Sequence, residues 1–129
     1  APLKGYGITG GAIATSVAHD SHNIIAVGDC DEDILAAVKA MEELQGGYVL
    51  VSKGEVIGTL PLPIAGLLSM EPSRKIQETI DEMLKKAWDM GISREIDPFI
   101  TLSFMALPVI PELRLTDQGL VDVTHFQLL

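Results

Sequence analysis

"YVLVSKGEVIGTLP", Tyr48 to Pro61, is the stretch that decides the fold. Two runs rich in β-branched and aromatic residues flank Lys53-Gly54, a two-residue connection with glycine where a positive φ is needed. That pattern predicts a β-hairpin. Both faces of the first run are apolar, Tyr48 and Leu50 against Val49 and Val51, so the sheet it joins is expected to be covered on both sides.

Working outward, the neighbouring segments supply more strands and the helices to cover them. "GGAIATSVA" (Gly10 to Ala18) reads as a buried strand and "NIIAVG" (Asn23 to Gly28) as a second one. Asp29 is placed to cap the next helix, with Glu32 three residues on completing a capping box. This helix runs to about Gln45 with Ile34, Leu35, Val38, Met41 and Leu44 on its inner face, and Gly46-Gly47 stops it. Beyond the hairpin, Pro63 suits the first turn of a short helix. Residues 73 to 90 form the clearest helix: Ile76, Ile80, Met83, Leu84 and Ala87 recur at helical spacing, Ser73 is the candidate cap and Gly91 the stop. "PFITLSFMALPVIPEL" has no clean period and predicts a buried strand or short helix. Thr116 to Gly119 reads as a turn and Leu120 to Val123 as a closing strand. The expected fold class is α/β: a single domain over residues 1–129, a mixed β-sheet containing the hairpin and flanked by helices.

Composition excludes several functions. The chain has 129 residues, 47% of them hydrophobic and only 21% charged, which fits one well-filled core and argues against disorder. A formal charge of −9 with scattered Lys and Arg disfavours nucleic acid and anionic membranes as partners. The longest apolar stretch, Pro98 to Pro111, falls short of the roughly 20 residues that span a bilayer. No secretory leader is visible at the start, and the single cysteine, Cys30, rules out an internal disulfide framework and fits a cytoplasmic location. Ala1-Pro2-Leu3 lacks an initiator Met, so a processed product or a piece cut from a longer protein is expected.

The densest polar cluster is His19-Asp20-Ser21-His22-Asn23, which holds two of the three histidines. Turns favour Asp, Ser and Asn because their side chains bond nearby backbone, but they seldom need two imidazoles. Three readings stand open: a polar turn, a recognition loop facing a ligand or another active site, or a self-contained metal or catalytic centre. Asp20 would be the third ligand beside His19 and His22, but a zinc or iron site needs three or four ligands and His-x-x-His alone is a weak signal. No residue is assigned a catalytic role, and His19 and His22 are the second choice as metal ligands.

Other features read as structure. "GYGITGG" satisfies G-x-G-x-x-G but precedes a strand instead of following one, so the phosphate-binding context is missing. Thr101 and Ser103 are expected to bond local backbone. Cys30 is read as a small packed residue, Asp117 as a turn former, and Trp88 and Met90 as closing the core around the long helix. His125 has no evident partner. Asp29, Asp31, Glu32 and Asp33 read as helix-start electrostatics rather than a cation site.

Three long stretches, "GAIATSVAHDSHNIIAVG", "GTLPLPIAGLLS" and "PFITLSFMALPVIPELRLTDQGLVDV", together resemble the C-terminal domain of bacterial and archaeal adenine deaminases, from Gly5 to about Phe126. The resemblance implies a hydrolase converting adenine and water to hypoxanthine and ammonia. In that family a metal-dependent amidohydrolase barrel carries His-x-His and further ligands around manganese, iron or zinc. This chain has no His-x-His. It also lacks the Pro-Cys-x-x-Cys zinc motif of the other deaminase architecture. No cofactor is therefore expected within this chain, the divalent metal belonging to the full-length enzyme. The resemblance further implies the barrel of the same polypeptide as partner, adenine as substrate, a homo-oligomer, and no nucleic acid or membrane. His19, Asp20, Ser21, His22 and Asn23 are then expected at the mouth or wall of the active site. An independent purine-binding regulatory domain and a purely structural interface domain are the alternatives, and the fragment alone is expected to be inactive.

Overall fold

The computed structural model describes residues 3–129. β1 (Gly11–Thr15), β2 (Ile25–Gly28), β3 (Gly47–Ser52) and β4 (Glu55–Pro61) form a four-stranded sheet in the order β2-β1-β3-β4. Helix α1 (Asp31–Leu44) joins β2 to β3, and α2 (Ser73–Asp89) and α3 (Pro98–Ser103) follow β4. A second sheet, β5 (Leu113–Thr116), β6 (Gly119–Asp122) and β7 (Gln127–Leu128), closes the chain.

The α/β class, the hairpin and the helices on both faces are as the sequence implies. Every strand pair is antiparallel. The reason is topological: α1 carries the chain back across the sheet, so β2 and β3 point the same way, but β1 lies between them and no parallel pair forms.

Both faces of the sheet are buried, as alternation on a pleated strand allows. Ala12, Ala14, Val49 and Val51 face α1 and pack on Ala37 and Met41. The small side chains of β1 let the helix approach closely. Ile13 and Leu50 face the other way, into a larger cluster with Leu60, Met83, Ala87 and Phe99 from β4, α2 and α3. Each such fully buried Leu, Ile or Phe contributes about 1.5–3 kcal/mol relative to exposure.

The hairpin turn is Lys53-Gly54, with φ of 52 and 79 at the two positions, and Ser52 pairs with Glu55 across it. Two successive positive φ values match the twist of the flanking strands, which is why glycine belongs at the second position. The register shifts between Leu50 and Val51, where the partners are Gly58 and Val56.

Several local expectations are corrected. The first strand stops at Thr15, not Ala18, because Thr15 Oγ1 accepts from the Val17 amide and turns the chain out of the sheet. The second starts at Ile25 rather than Asn23. Asp29 does not cap α1: Cys30 holds the cap position without a side-chain bond, and the Asp29 carboxylate instead accepts from the amides of Gly10 and Gly11. Leu35 is 54% exposed; the stripe facing the sheet is Asp33, Ala37 and Met41, one turn apart each. Ser73 is the first residue of α2, and Pro72 occupies the cap position. No helix follows Pro63. Ala65 and Gly66 take left-handed φ values of 58 and 71, which a right-handed helix cannot hold, and a bridge between Ile64 and Leu68 closes a tight loop. Within the irregular apolar stretch a short helix forms, α3, capped by Asp97, whose Oδ1 accepts from Phe99 and Ile100 at 2.9 Å each.

The last hairpin turns between Thr116 and Gly119 as expected, with its second strand one residue earlier at each end; β7 is an addition. Met90 is buried as expected, while Trp88 is half-buried with the Arg94 guanidinium 5.5 Å over its ring. No helix among the described residues is long and apolar enough to cross a membrane.

Candidate functional site

The end of β1, the start of β3 and the end of β4 lie side by side, since Thr15 pairs with Tyr48 and Tyr48 with Leu60. The connections at this end therefore gather in one place: the turn after β1, the end of α1, the loop after β4, and α3. Ser16 is the fastening. Its buried hydroxyl donates to the Gly66 carbonyl at 2.6 Å and accepts from the Gly47 amide at 2.8 Å, tying β1, β3 and the 62–70 loop together. The His19 amide donates to the Ser103 carbonyl at 3.1 Å, and the imidazole lies against Phe104 with ring centroids 4.3 Å apart. Part of each of the three stretches that carry the family resemblance thus meets at this end of the sheet.

His19, Asp20, Ser21, His22 and Asn23 are all exposed there, on the connection between β1 and β2. His22 closes the turn: its amide donates to the Ala18 carbonyl at 3.2 Å, and Nδ1 lies 3.4 Å from the Ala18 amide, with φ at 51. With Nδ1 turned to the Ala18 amide, Nε2 makes no hydrogen bond among the described residues. Asp20, Ser21 and Asn23 make no side-chain hydrogen bond among the described residues, so their donors and acceptors are available to another surface. The 62–70 loop, tied to Ser16 through Gly66, exposes Leu68 and Met70, 62% and 86% accessible. Asn23 also stands on the rim of a groove of about 850 Å³.

The sequence offers His19, His22 and Asp20 as a candidate ligand set at this cluster. Among the described residues, one group of three His, Cys, Asp or Glu side chains brings its ligand atoms within 4.8 Å, and it is Asp29, Cys30 and Asp33. Those two carboxylates already serve the backbone. Asp29 binds the Gly10 and Gly11 amides, and Asp33, buried on the inner side of α1, accepts from Gly54. The Gly10 amide, opposed by desolvation and helped by Gly11, holds the Asp29 carboxyl below its ordinary range. Cys30 is exposed rather than packed. The Asp33 amide pulls its thiol down, but desolvation together with Asp33 and Glu32 outweighs that and raises it, so the helix start does not activate a nucleophile. This group does not fit a divalent metal, and none of the histidines belongs to it.

Other polar groups are structural. Tyr6 donates to the Pro98 carbonyl at 2.8 Å, and burial, with Asp97 nearby, pushes its phenol well above the ordinary value. Ser103 donates to Ile100, as a hydroxyl in an apolar run should. His125 does have a partner, Asp122 Oδ2 at 2.8 Å. Reading the sequence alone misses Ser16 and Asp33, since nothing in their local pattern announces a long-range bond. Asp97 had a signal, an Asp immediately before a Pro at the first helical position.

A profile described as the adenine deaminase C-terminal domain matches residues 1–127. An adenine deaminase of Dehalococcoides mccartyi is 56% identical over 127 residues, covering 98% of this chain and 22% of that protein. Adenine deaminases of Nitratidesulfovibrio vulgaris, 54% identical with 96% of this chain covered, and Halalkalibacterium halodurans, 53% identical with 98% covered, match in the same way, each over 22% of its length. The chain thus spans about a fifth of the length of the curated relatives it matches, at 22%. With a profile match over residues 1–127, the chain belongs to the adenine deaminase C-terminal domain family.

Proposed function

We propose that this chain is the accessory C-terminal domain of a metal-dependent adenine deaminase, and that the sheet end carrying His19 to Asn23 faces the catalytic part of the same polypeptide. The observation that carries the reading is an exposed polar turn that stands where Ser16 ties the 62–70 loop to β1 and where the His19 amide meets the end of α3. Hydrolysis of a purine amine needs an activated water and an enclosed site. In such an enzyme the divalent metal supplies the water activation, and its ligands lie outside this chain. What this turn offers is exposed on every residue, so it requires a second surface to shut water out. Adenine presents ring-nitrogen acceptors and an exocyclic amine donor. An imidazole N–H, a carboxylate, a hydroxyl and an amide side by side complement both kinds of group. Leu68 and Met70 supply the apolar contact that holds the two surfaces together. A cytoplasmic, homo-oligomeric enzyme is part of the same proposal, carried over from the family resemblance alone.

The test is kinetic, in the full-length polypeptide. His19→Ala and His22→Ala are expected to lower kcat/KM at least about tenfold, the scale of one lost hydrogen bond in a transition state, with the melting temperature within a few degrees of wild type. Unchanged kinetics in both variants overturn the reading. Variants that melt early or dissociate while the folded fraction keeps full activity favour a structural interface instead.

A further inference from the structure

Two strand edges face one groove. β2 ends the four-stranded sheet and β5 ends the three-stranded one, and residues of both line the same apolar groove of about 850 Å³. In an antiparallel ladder the backbone groups alternate in direction. The Asp29 amide donates to Gly11, on the β1 side, so the amides and carbonyls of Ile24, Ala26 and Gly28 point the other way, toward the groove. β5 pairs with β6 alone, so its second edge is open as well. Ile24, Leu113 and Leu115 are exposed along these edges.

Open apolar edges template pairing with further strands, and proteins cover them. Here the walls also state the chemistry of the cover. Arg114 reaches into the groove with its terminal nitrogens on the carbonyls of Leu113 and Pro111 and its Nε buried without a partner. Among the described residues no carboxylate lies within ion-pair distance of it, although the chain carries a net charge of −9. A buried guanidinium donor left unpaired is costly, and a carboxylate satisfies it best.

We infer that the groove between β2 and β5 receives an extended, carboxylate-bearing segment of the longer polypeptide to which this domain belongs, which pairs with the β2 edge and sets its acid on Arg114. This rests on the reading that the domain works as part of a full-length adenine deaminase. Its relatives hold this domain in only 22% of their length, so ample chain lies outside it. A tethered strand acts at an effective concentration on the order of millimolar, enough to populate even a weak edge pairing.

Amide hydrogen exchange in the full-length polypeptide decides it. Ile24, Ala26 and Gly28 are expected to exchange at least about a hundredfold more slowly than freely exposed amides, equally at high and low protein concentration. Arg114→Glu is expected to speed their exchange about tenfold or more, roughly the loss of one charge-assisted bond, while the core amides of Ile13 and Leu50 stay as in wild type. Unprotected β2 amides overturn the inference. Protection that disappears on dilution also overturns it, because the occupant is then a second copy. Protection indifferent to Arg114→Glu removes the acidic partner. The readout is independent of the kinetics of the His19 and His22 variants, so either reading can fail without the other.

Discussion

Asp33, in the first turn of α1, accepts a hydrogen bond from the amide of Gly54 in the β3–β4 turn, at 2.5 Å. A carboxylate only 5% exposed thus links a helix on one face of the sheet to the tip of a hairpin 21 residues later in the chain. Asp33→Ala leaves the Gly54 amide without its partner and should destabilise the domain by about 1–3 kcal/mol, the cost of an unsatisfied group in a part-buried site. Urea unfolding measures this, and a variant as stable as wild type shows that water replaces the carboxylate without loss.

Ser16 offers the same test at the functional end. Ser16→Ala removes both the donor to Gly66 and the acceptor for Gly47. A loss of about 1–3 kcal/mol is expected, with faster amide exchange at Leu62 and Leu68, whose own bonds run to Gly46 and Ile64. If only global stability falls and those amides keep their relative protection, Ser16 does not fasten the loop.

Two glycines separate strain from crowding. Gly54 has φ of 79 and open space where a Cβ would stand, so Gly54→Ala should cost only about 1 kcal/mol. Gly47 has φ of 137, and a Cβ there would meet the backbone carbonyl of Leu60 inside any allowed contact, with Leu60 and Leu62 backbone beyond it. Gly47→Ala should cost about 3 kcal/mol or more, since strand β4 itself has to move. Equal melting temperatures for the two variants contradict this.

Acid should unfold the domain partly through two aspartates. Asp29 is held below its ordinary value of 3.8 by the Gly10 amide, and Asp122 below the same value by His125, first through its side chain and then its amide. A carboxyl whose folded pKa is depressed binds its proton more readily when unfolded, so its stabilisation is full above the unfolded pKa. It fades as pH falls from about 4 through the folded values. Asp29→Asn should flatten this acid limb in unfolding measurements while leaving stability near neutral pH much less changed in its pH dependence. An unaltered limb would show that the carboxyl titrates alike in both states.

The sequence by itself determined the hairpin at Lys53-Gly54, the covered sheet and the stripe of α2, because these depend on periodicities of two and 3.6 residues and on one obligatory turn. It also carried the family, through three long stretches whose order no short motif could imitate. What it misjudged were the ends of elements. Asp29, Ser73 and Pro63 each satisfy a local rule for starting a helix, but Asp29 binds the neighbouring strand, Pro72 takes the place of Ser73 as cap, and left-handed residues bend the chain after Pro63. Only the tertiary structure decided that β1 separates β2 from β3, that Ser16 and Asp33 reach across 50 and 21 residues, and that His19 meets Ser103 and Phe104 at the end of α3. Local pattern records what a residue does to its own turn of chain. Long-range partners are set by how the sheet closes, and no spacing along the chain encodes them.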